Sequence, residues 1–194
     1  MIGGLEFKPE EHGYYKDGVK VPSVSKILEY IYPDPNKQWY KPEHVLRGQY
    51  VHTITELLDE DNLDWSTLDP ALKPYADAYS QFLLDEKPEW SLTEEMVFNE
   101  QLWYAGRLDR AEVLRVDDCI LDIKTGSAGR NVKHGMQTAA YHMALTDEKR
   151  KRWVLYLRNT GKYSLFDYTD PDDYNVVKHG AWLFNWSRSK GIIK

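Results

Sequence analysis

The chain has 194 residues, of which 42% are hydrophobic, with seven tryptophans and fourteen tyrosines. This size and composition predict one domain, residues 1–194, with a sizeable core. The single cysteine, Cys119, excludes an intrachain disulfide framework, a four-cysteine zinc site and an iron–sulfur cluster, and the net charge of −6 weighs weakly against nucleic-acid binding.

The chain also lacks the signals of membrane proteins and secreted proteins. No apolar run approaches the length needed to span a bilayer. The first eight residues, MIGGLEFK, lack the basic and apolar segments of a signal peptide. We therefore expect no membrane contact and a cytoplasmic location.

The N-terminal part predicts a β-hairpin followed by three helices. Asp17-Gly18 lies between strand-like residues, a strong hairpin signal. Ser23 is a helix N-cap residue that predicts a helix to about Tyr30. Apolar spacing predicts two more helices, at about residues 41–58 and 70–86, so that residues 23–86 form a helical region. His52 and Gly48 share a side of the second helix, although a lone helical histidine is more often a surface or core residue than a ligand.

The remaining pattern predicts an α/β fold with a mixed central β-sheet flanked by α-helices on both faces. Strands are expected at about residues 91–99, 102–108 and 119–124, and two more within residues 153–168. Helices are expected at about residues 132–145 and 172–189, and the apolar residues of the last helix, including Val177 and Trp182, predict packing against the core. Residues 91–168 would form the catalytic sheet and helix.

One pair of charged residues lies inside an apolar strand. Asp122 and Lys124 are two residues apart, and a strand sends alternate side chains to opposite faces, so both point the same way and Ile123 points the other way. A buried aspartate needs a cation, a hydrogen-bonding partner or a bound metal. Lys124 alone can be that partner.

A second carboxylate, Asp109, lies thirteen residues before Asp122. We predict a hairpin turn at Asp117-Asp118, which would place Asp109 opposite Gly126, so that a β-bulge or a bend is needed to bring the two aspartates together. If they converge, their mutual repulsion favours a divalent cation. Carboxylate oxygens suit Mg²⁺ or Mn²⁺.

The helix after this strand presents polar groups close by. Gln137 and Tyr141 are one turn apart and share a face. A partly buried tyrosine with a surface glutamine is the simpler interpretation of that pair. Basic residues also cluster after the strand, at Lys124, Arg130, Lys133 and His134, and again at residues 149–152, where a solvated helix end explains them.

Taken in order, these motifs resemble the RecB-type branch of the PD-(D/E)XK nuclease superfamily. The matching elements are Arg47-Gly48-x-x-x-His52, Asp109, Asp122-Ile123-Lys124 and Gln137-x-x-x-Tyr141. The segment Val21-Pro22-Ser23-Val24-Ser25-x-Ile27-Leu28 also resembles the start of the mitochondrial genome maintenance exonuclease and related phage exonucleases. Leu108 stands where the family usually has proline, and Asp122 stands where many members have glutamate.

The resemblance implies a restriction-endonuclease-like core and a role for each matching residue. Asp109 and Asp122 would be metal-binding carboxylates, with His52 and the Ile123 backbone carbonyl completing the protein ligands. Lys124 would orient or activate the attacking water and stabilise developing charge. Gln137 and Tyr141 would contact DNA beside the scissile phosphate, with Arg47 and Lys133 as further DNA-binding candidates.

The function implied is a Mg²⁺-dependent deoxyribonuclease in which Mn²⁺ can substitute. We expect an exonuclease that acts on DNA ends or single strands in recombination, repair or phage DNA processing, in a bacterial or phage-infected cell, together with a recombination or replication protein. A structure-specific endonuclease remains an alternative, as does a non-catalytic binding module in which Asp122 and Lys124 are an internal ion pair. Polarity, strand preference, DNA against RNA, the number of metal ions and the oligomeric state stay open.

Overall fold

The computed structural model describes residues 2–35, 41–126, 129–145 and 149–193. The helices within these ranges are α1 (Val24–Ile31), α2 (Pro42–Asp59), α3 (Lys73–Glu86), α4 (Val132–Leu145) and α5 (Asp172–Ser189). The strands are β1 (Leu5–Lys8), β2 (Gly13–Lys16), β3 (Val19–Val21), β4 (Glu89–Asn99), β5 (Tyr104–Leu114), β6 (Asp117–Lys124), β7 (Lys151–Leu157) and β8 (Tyr163–Asp167). No helix of the described part is long and apolar enough to cross a membrane.

A small antiparallel sheet, in the order β1-β2-β3, forms the N-terminus. The predicted hairpin is confirmed, because Asp17 and Gly18 join β2 to β3 with φ angles of 50° and 78°, the left-handed conformation that a type I′ turn requires. The third strand, β1, was not predicted from the sequence. Tyr14 and Val21 of this sheet pack against Phe98 and Ala105 of the central sheet.

The three predicted N-terminal helices are present. Ser23 caps α1, and its Oγ accepts a hydrogen bond from the Lys26 backbone N–H at 3.2 Å. Pro42 occupies the first turn of α2, where its missing N–H costs nothing. Val51 of α2 is fully buried, but Val45 in the first half of the same helix is 59% exposed.

The central sheet has five strands in the order β4-β5-β6-β7-β8. Neighbouring strands are antiparallel except for β6 and β7, which are parallel. Parallel neighbours need a crossover connection, and α4 lies in that connection. The predicted mixed sheet flanked by helices is therefore confirmed.

The predicted turn at Asp117-Asp118 is wrong. Leu114 pairs with Asp117, so the two-residue turn consists of Arg115 and Val116, and Arg115 has a φ of 65°. Asp117 and Asp118 belong to β6. The turn is two residues earlier than expected, which changes the register of the whole hairpin.

Helices cover the two faces of the sheet with separate apolar clusters. On one face, residues of α1, α4 and α5 pack with Leu108 and Ile120. On the other face, residues of α2 and α3 pack with Leu121 and Ile123. Packing of α5 against the core is confirmed for Val177, which is fully buried, but not for Trp182, which is 63% exposed.

Candidate active site

Two carboxylates face each other where the pairing of β5 with β6 ends. The last pair in this direction is Arg110 with Leu121, so the next position places Asp109 opposite Asp122. No bulge is needed for this, because the turn at residues 115–116 sets the register directly. Asp109 Oδ2 accepts a hydrogen bond from the Ile123 backbone N–H at 2.6 Å, and a side chain thus joins the two strands at this point.

Asp122 and Lys124 share a face of β6, as predicted, while Ile123 packs into the opposite apolar cluster. The Lys124 Nζ lies 2.6 Å from Asp122 Oδ2, with the two side chains 24% and 1% exposed. Neither Asp122 oxygen has a hydrogen-bond partner among the described residues, so the ion pair is close but poorly aligned. The buried Asp122 carboxylate can therefore still accept hydrogen bonds.

Burial and the mutual attraction of Asp122 and Lys124 set the protonation states of this pair. Burial raises the pKa of Asp122, and the Lys124 charge offsets only part of that rise. Burial alone would lower the pKa of Lys124, but the charges of Asp122 and Asp109 outweigh it and raise that pKa. Lys124 is therefore a cation at neutral pH, which favours electrostatic stabilisation over proton abstraction as its chemical role.

A compact group of metal-binding side chains lies beside this pair. His52, Glu94 and Asp109 each offer one ligand atom, and these atoms lie within 4.8 Å of one another. His52 Nδ1 is 2.9 Å from Glu94 Oε1 and 3.7 Å from Asp109 Oδ1. The fold thus brings together two of the predicted ligands, His52 from α2 and Asp109 from β5.

The composition of this group differs from the set expected from the sequence. Glu94 belongs to it, whereas Asp122 lies outside it and faces Lys124. Ile123, expected to offer its carbonyl oxygen, makes its contact with the cluster through the backbone N–H that Asp109 accepts. The predicted ligands are therefore close neighbours, but they do not form one compact shell.

Glu94 could have been found only from the register of the first hairpin. Thr93 pairs with Arg110 and Glu95 pairs with Leu108, which places Glu94 opposite Asp109. Glu94 also has a φ of 49°, a left-handed conformation that is uncommon in a strand and is often found at functional sites. In the sequence it is one of two adjacent glutamates, and nothing local distinguishes them.

Arg110, which the sequence did not single out, supports the group of His52, Glu94 and Asp109 through hydrogen bonds. Its fully buried guanidinium donates to Asp59 Oδ2 at 2.6 Å and to Thr55 Oγ1 at 3.0 Å. It also donates to Glu94 Oε1 at 3.3 Å. Since Thr55 Oγ1 donates to the His52 carbonyl at 2.8 Å, Arg110 connects the α2 ligand to the β4 ligand.

The carboxylates give His52 a positive charge. The Asp109 charge and the hydrogen bond to Glu94 raise the pKa of His52 to about 9, against the opposing effect of burial. At neutral pH the ring is therefore an imidazolium that balances part of the acidic charge. A metal ion that binds His52 must first displace this proton.

The residues present fit a divalent metal ion. The donor set consists of two carboxylates and an imidazole whose ligand atoms lie within 4.8 Å of one another, and the buried Asp122 oxygens next to it lack well-aligned hydrogen bonds among the described residues. Carboxylate-rich sites suit Mg²⁺ and Mn²⁺, while an imidazole ligand favours a transition metal over Mg²⁺. Donor chemistry thus supports a divalent cation.

Gln137 and Tyr141 lie together on α4, as expected. The Gln137 amide donates to the Tyr141 hydroxyl at 3.0 Å, and Tyr141 is 5% exposed. Gly106 makes room for the tyrosine, because a Cβ atom at this position would lie 2.8 Å from the Tyr141 ring. Only Gln137 of the two is thus available at the surface.

Two cavities meet at this site. The α2 cavity, of about 580 Å³, is lined by His52, Glu56, Glu94 and Tyr141, among others. The α4 cavity, of about 800 Å³, is lined by Lys26, Lys124, Lys133, His134 and Gln137, among others. Both include His12, Ser23 and Ser25, so they form one groove that passes the start of α1.

The other two predicted DNA-binding residues differ in position. Lys133 lines the α4 cavity and forms an ion pair with Glu29 at 3.0 Å. Arg47 donates to the Thr125 carbonyl at 3.5 Å and lies over the Tyr75 ring. It supports the turn after Lys124, while Gly48, the next residue, lines the α2 cavity with His52.

The fold has a counterpart among solved structures. The chain is similar to a protein from Eubacterium rectale described as a "putative exonuclease", with a TM-score of 0.59 and 13% sequence identity over 90% of this chain and 83% of that chain. At this identity the likeness concerns the fold alone. The protein SSO0001 aligns over 83% of this chain and 84% of its own, with 16% identity and a TM-score of 0.36, which is too low to support an argument.

Comparisons of the sequence itself gave no relatives. No family model matches the chain, and no curated protein matches it.

Proposed function

We propose that this protein is a metal-dependent deoxyribonuclease of the RecB-type branch of the PD-(D/E)XK superfamily, formed by residues 1–194 as one domain, and that it acts as an exonuclease. The observation that supports this most directly is the meeting of Asp109, Asp122 and Lys124 beside His52 and Glu94 at one point of the sheet. The fold shared with the Eubacterium rectale protein, described as a "putative exonuclease", agrees with the proposal.

The residues divide into groups that bind a cation and groups that bind the phosphate. Asp109, Glu94 and His52 would hold the metal ion, with Asp122 offering a carboxylate oxygen from the opposite strand. A bound Mg²⁺ or Mn²⁺ ion would supply a water nucleophile, charge neutralisation and stabilisation of the leaving oxygen. Arg110 keeps Glu94 and the α2 backbone in place for this.

Lys124 would bind the scissile phosphate next to the metal group. Its raised pKa keeps the ammonium charged, so it would neutralise charge on a non-bridging oxygen and orient the attacking water by hydrogen bonding. Gln137, on the same cavity wall, would position the DNA strand next to that phosphate. Tyr141 would act through Gln137, because its hydroxyl is the acceptor of that amide.

One alternative in a different class is a non-catalytic nucleic-acid-binding module, in which Asp122 and Lys124 form an internal ion pair. Although Lys124 lies close to Asp122, the buried Asp122 oxygens lack well-aligned hydrogen bonds among the described residues, and this speaks against a purely structural pair. A structural ion pair in a buried position gains from full hydrogen bonding.

The test is incubation of the protein with end-labelled linear single-stranded DNA, linear duplex DNA and covalently closed circular DNA. Each substrate is offered with Mg²⁺, with Mn²⁺ and with a chelator. We expect chelator-sensitive loss of the linear substrates alone, and the labelled end that disappears first gives the polarity. Cutting of circles would instead identify an endonuclease.

Lys124→Ala and Asp122→Asn serve as active-site variants, and we expect each to lower the cleavage rate by about 10³-fold or more. Lys151→Ala is the matched control, since Lys151 is an ion-paired lysine at the opposite end of the sheet. DNA binding without cleavage of any substrate in either metal would overturn the proposal in favour of the binding module.

A further inference from the structure

The wall of the α4 cavity contains a histidine whose ring orientation is fixed by a chain of hydrogen bonds. His134 Nδ1 lies 2.6 Å from the Tyr156 hydroxyl. The Tyr156 hydroxyl lies 3.4 Å from the Tyr168 hydroxyl, which accepts a hydrogen bond from the Asn131 backbone N–H at 3.0 Å. The two tyrosine hydroxyls therefore lie between a backbone N–H donor at one end and an imidazole nitrogen at the other.

This chain of hydrogen bonds has a preferred direction. Because the Asn131 N–H can only donate, the Tyr168 hydroxyl can pass its own proton on to Tyr156, and Tyr156 can donate to His134 Nδ1. In the reverse direction the Tyr168 proton would have no acceptor among the hydrogen bonds of the described residues. The first direction gives each hydroxyl proton an acceptor within these hydrogen bonds, and it makes Nδ1 an acceptor, which leaves the proton of a neutral ring on Nε2.

His134 is also held close to the proposed catalytic lysine. Tyr156 is the β7 partner of Lys124 in the parallel pairing with β6, and partners in a sheet project their side chains to the same face. His134 and Lys124 both line the α4 cavity. With Nδ1 turned to Tyr156, the Nε2 on the far side of the ring is the nitrogen available to that cavity.

From this geometry we infer that His134 is a neutral hydrogen-bond donor, through Nε2–H, to a non-bridging oxygen of the phosphate that Lys124 binds. The inference rests on the proposed function, since it names a further residue that contacts the substrate. His134 appeared in the sequence only as one member of a basic cluster. Burial, and the charges of Lys124 and Lys133, lower its pKa to about 4 against the opposing effect of Asp122, so the ring adds a donor without adding a second charge.

The first experiment is independent of catalysis. Long-range ¹⁵N–¹H NMR of the histidine rings distinguishes the two neutral tautomers and the imidazolium, and the His134→Asn spectrum assigns the His134 signals among the six histidines. We expect a neutral ring with the proton on Nε2 at pH 7, and a loss of that preference in Tyr156→Phe. An imidazolium, or a proton on Nδ1, would overturn the inference.

The second experiment is a pair of substitutions that keep different halves of the ring. In His134→Asn, the amide keeps a polar atom near the position of Nδ1, but the donor at the position of Nε2 is lost. In His134→Gln, an amide N–H lies near the position of Nε2. On end-labelled single-stranded DNA, we expect kcat to fall about 10- to 100-fold in His134→Asn with a small change in KM. His134→Gln should recover most of that loss, and equal kcat in the two variants would contradict the donor role.

Failure of the nuclease proposal and failure of this inference are distinguishable. If the wild-type protein cleaves no DNA, the proposed function fails, and titration with the dinucleotide pTpT then decides the role of His134. A shift of the His134 Nε2 resonance that is lost in Lys124→Ala would support phosphate binding at this place. No shift at millimolar dinucleotide would overturn it.

Discussion

Two histidines of the groove, His52 in the α2 cavity and His134 in the α4 cavity, have opposite charge states. In the α2 cavity, Asp109 and Glu94 raise the pKa of His52 to about 9. In the α4 cavity, burial and Lys124 lower the pKa of His134 to about 4. The same side chain is a cation in the α2 cavity and neutral in the α4 cavity, because carboxylates surround the first ring, whereas burial and nearby lysines act on the second.

The charges of the residues along the two cavities differ in the same way. On the side of the α2 cavity, here called the α2 side, Asp109 and Glu94 concentrate negative charge. On the side of the α4 cavity, here called the α4 side, Lys26, Lys124 and Lys133 concentrate positive charge, as the proposed metal and phosphate sites require. Asp122, opposite Asp109 and next to Lys124, lies at the boundary. The net charge of −6 does not describe this arrangement, so it does not argue against the proposed binding of DNA.

The largest effect should follow from removing the arginine that supports the α2 side. In Arg110→Met, the partly buried Asp59 and Glu94 carboxylates lose their arginine partner. We expect the free energy of unfolding, measured by urea denaturation in chelator, to fall by about 3–5 kcal/mol. Breaking the network should also abolish high-affinity metal binding, because Glu94 loses its position.

Arg115→Met is the matched control for this prediction. Arg115 also makes two hydrogen bonds to a carboxylate, Glu86, at 2.6 and 2.7 Å, but its side chain is 52% exposed. An exposed pair contributes at most about 1 kcal/mol. Equal losses in the two variants would show that Arg110 has no special part in the α2 side.

A smaller effect should separate two adjacent glutamates. Glu94→Gln removes one carboxylate from the metal group, whereas Glu95→Gln changes the neighbouring residue, which pairs with Leu108 outside that group. We expect the dissociation constant for Mn²⁺, measured by calorimetry, to increase about 10- to 100-fold in Glu94→Gln. Glu95→Gln should bind Mn²⁺ like the wild type, and similar behaviour of both variants would remove Glu94 from the site.

The charge of His52 predicts how metal binding depends on pH. Because the folded-state pKa is about 9, a metal ion must displace one proton below that pH, and its affinity should increase about tenfold per pH unit up to pH 9. The metal-free protein should show the opposite trend. A raised pKa stabilises the fold below the ordinary value of about 6.5, and this contribution is lost as the pH increases from 6.5 to 9.

Calorimetric titrations with Mn²⁺ at several pH values, together with urea denaturation in chelator, measure both trends. The control is His52→Ala, in which both slopes should flatten. His134 contributes with the opposite sign: its depressed pKa means that the folded state loses stability as the pH falls from 6.5 towards 4. An affinity for Mn²⁺ that does not change between pH 6.5 and 9 would show that His52 is not a ligand.

The sequence predicted the elements better than their register. Helices α4 and α5 have the expected bounds, because apolar spacing is a local signal. The register of the hairpin depended on a turn formed by Arg115 and Val116, which contains none of the usual turn residues. The acidic pair at Asp117 and Asp118 looked like a turn and is part of a strand.

The candidate site, too, could be predicted only where a local sequence signal places a residue. Asp122 and Lys124 could be placed on one face from the alternation of a single strand. Glu94 and Arg110 could not be found in this way, since their roles depend on contacts between residues that are far apart in the sequence. His134 looked like one of several basic residues, and only its contact with Tyr156 separates it from them.

The smallest effect is expected at the edge of the α4 side. Lys133 is paired with Glu29 at 3.0 Å, and its side chain is 22% exposed, so a DNA phosphate would compete with a carboxylate for this ammonium. We expect Lys133→Ala to raise KM for single-stranded DNA about two- to fivefold without changing kcat, and to lower the slope of log K against log salt by about one. Lys151→Ala, which changes the same charge at the far end of the sheet, should leave both quantities unchanged. If the two variants have the same KM and the same salt dependence, Lys133 serves only as the partner of Glu29, and the phosphate-binding part of the α4 side is limited to the residues around Lys124.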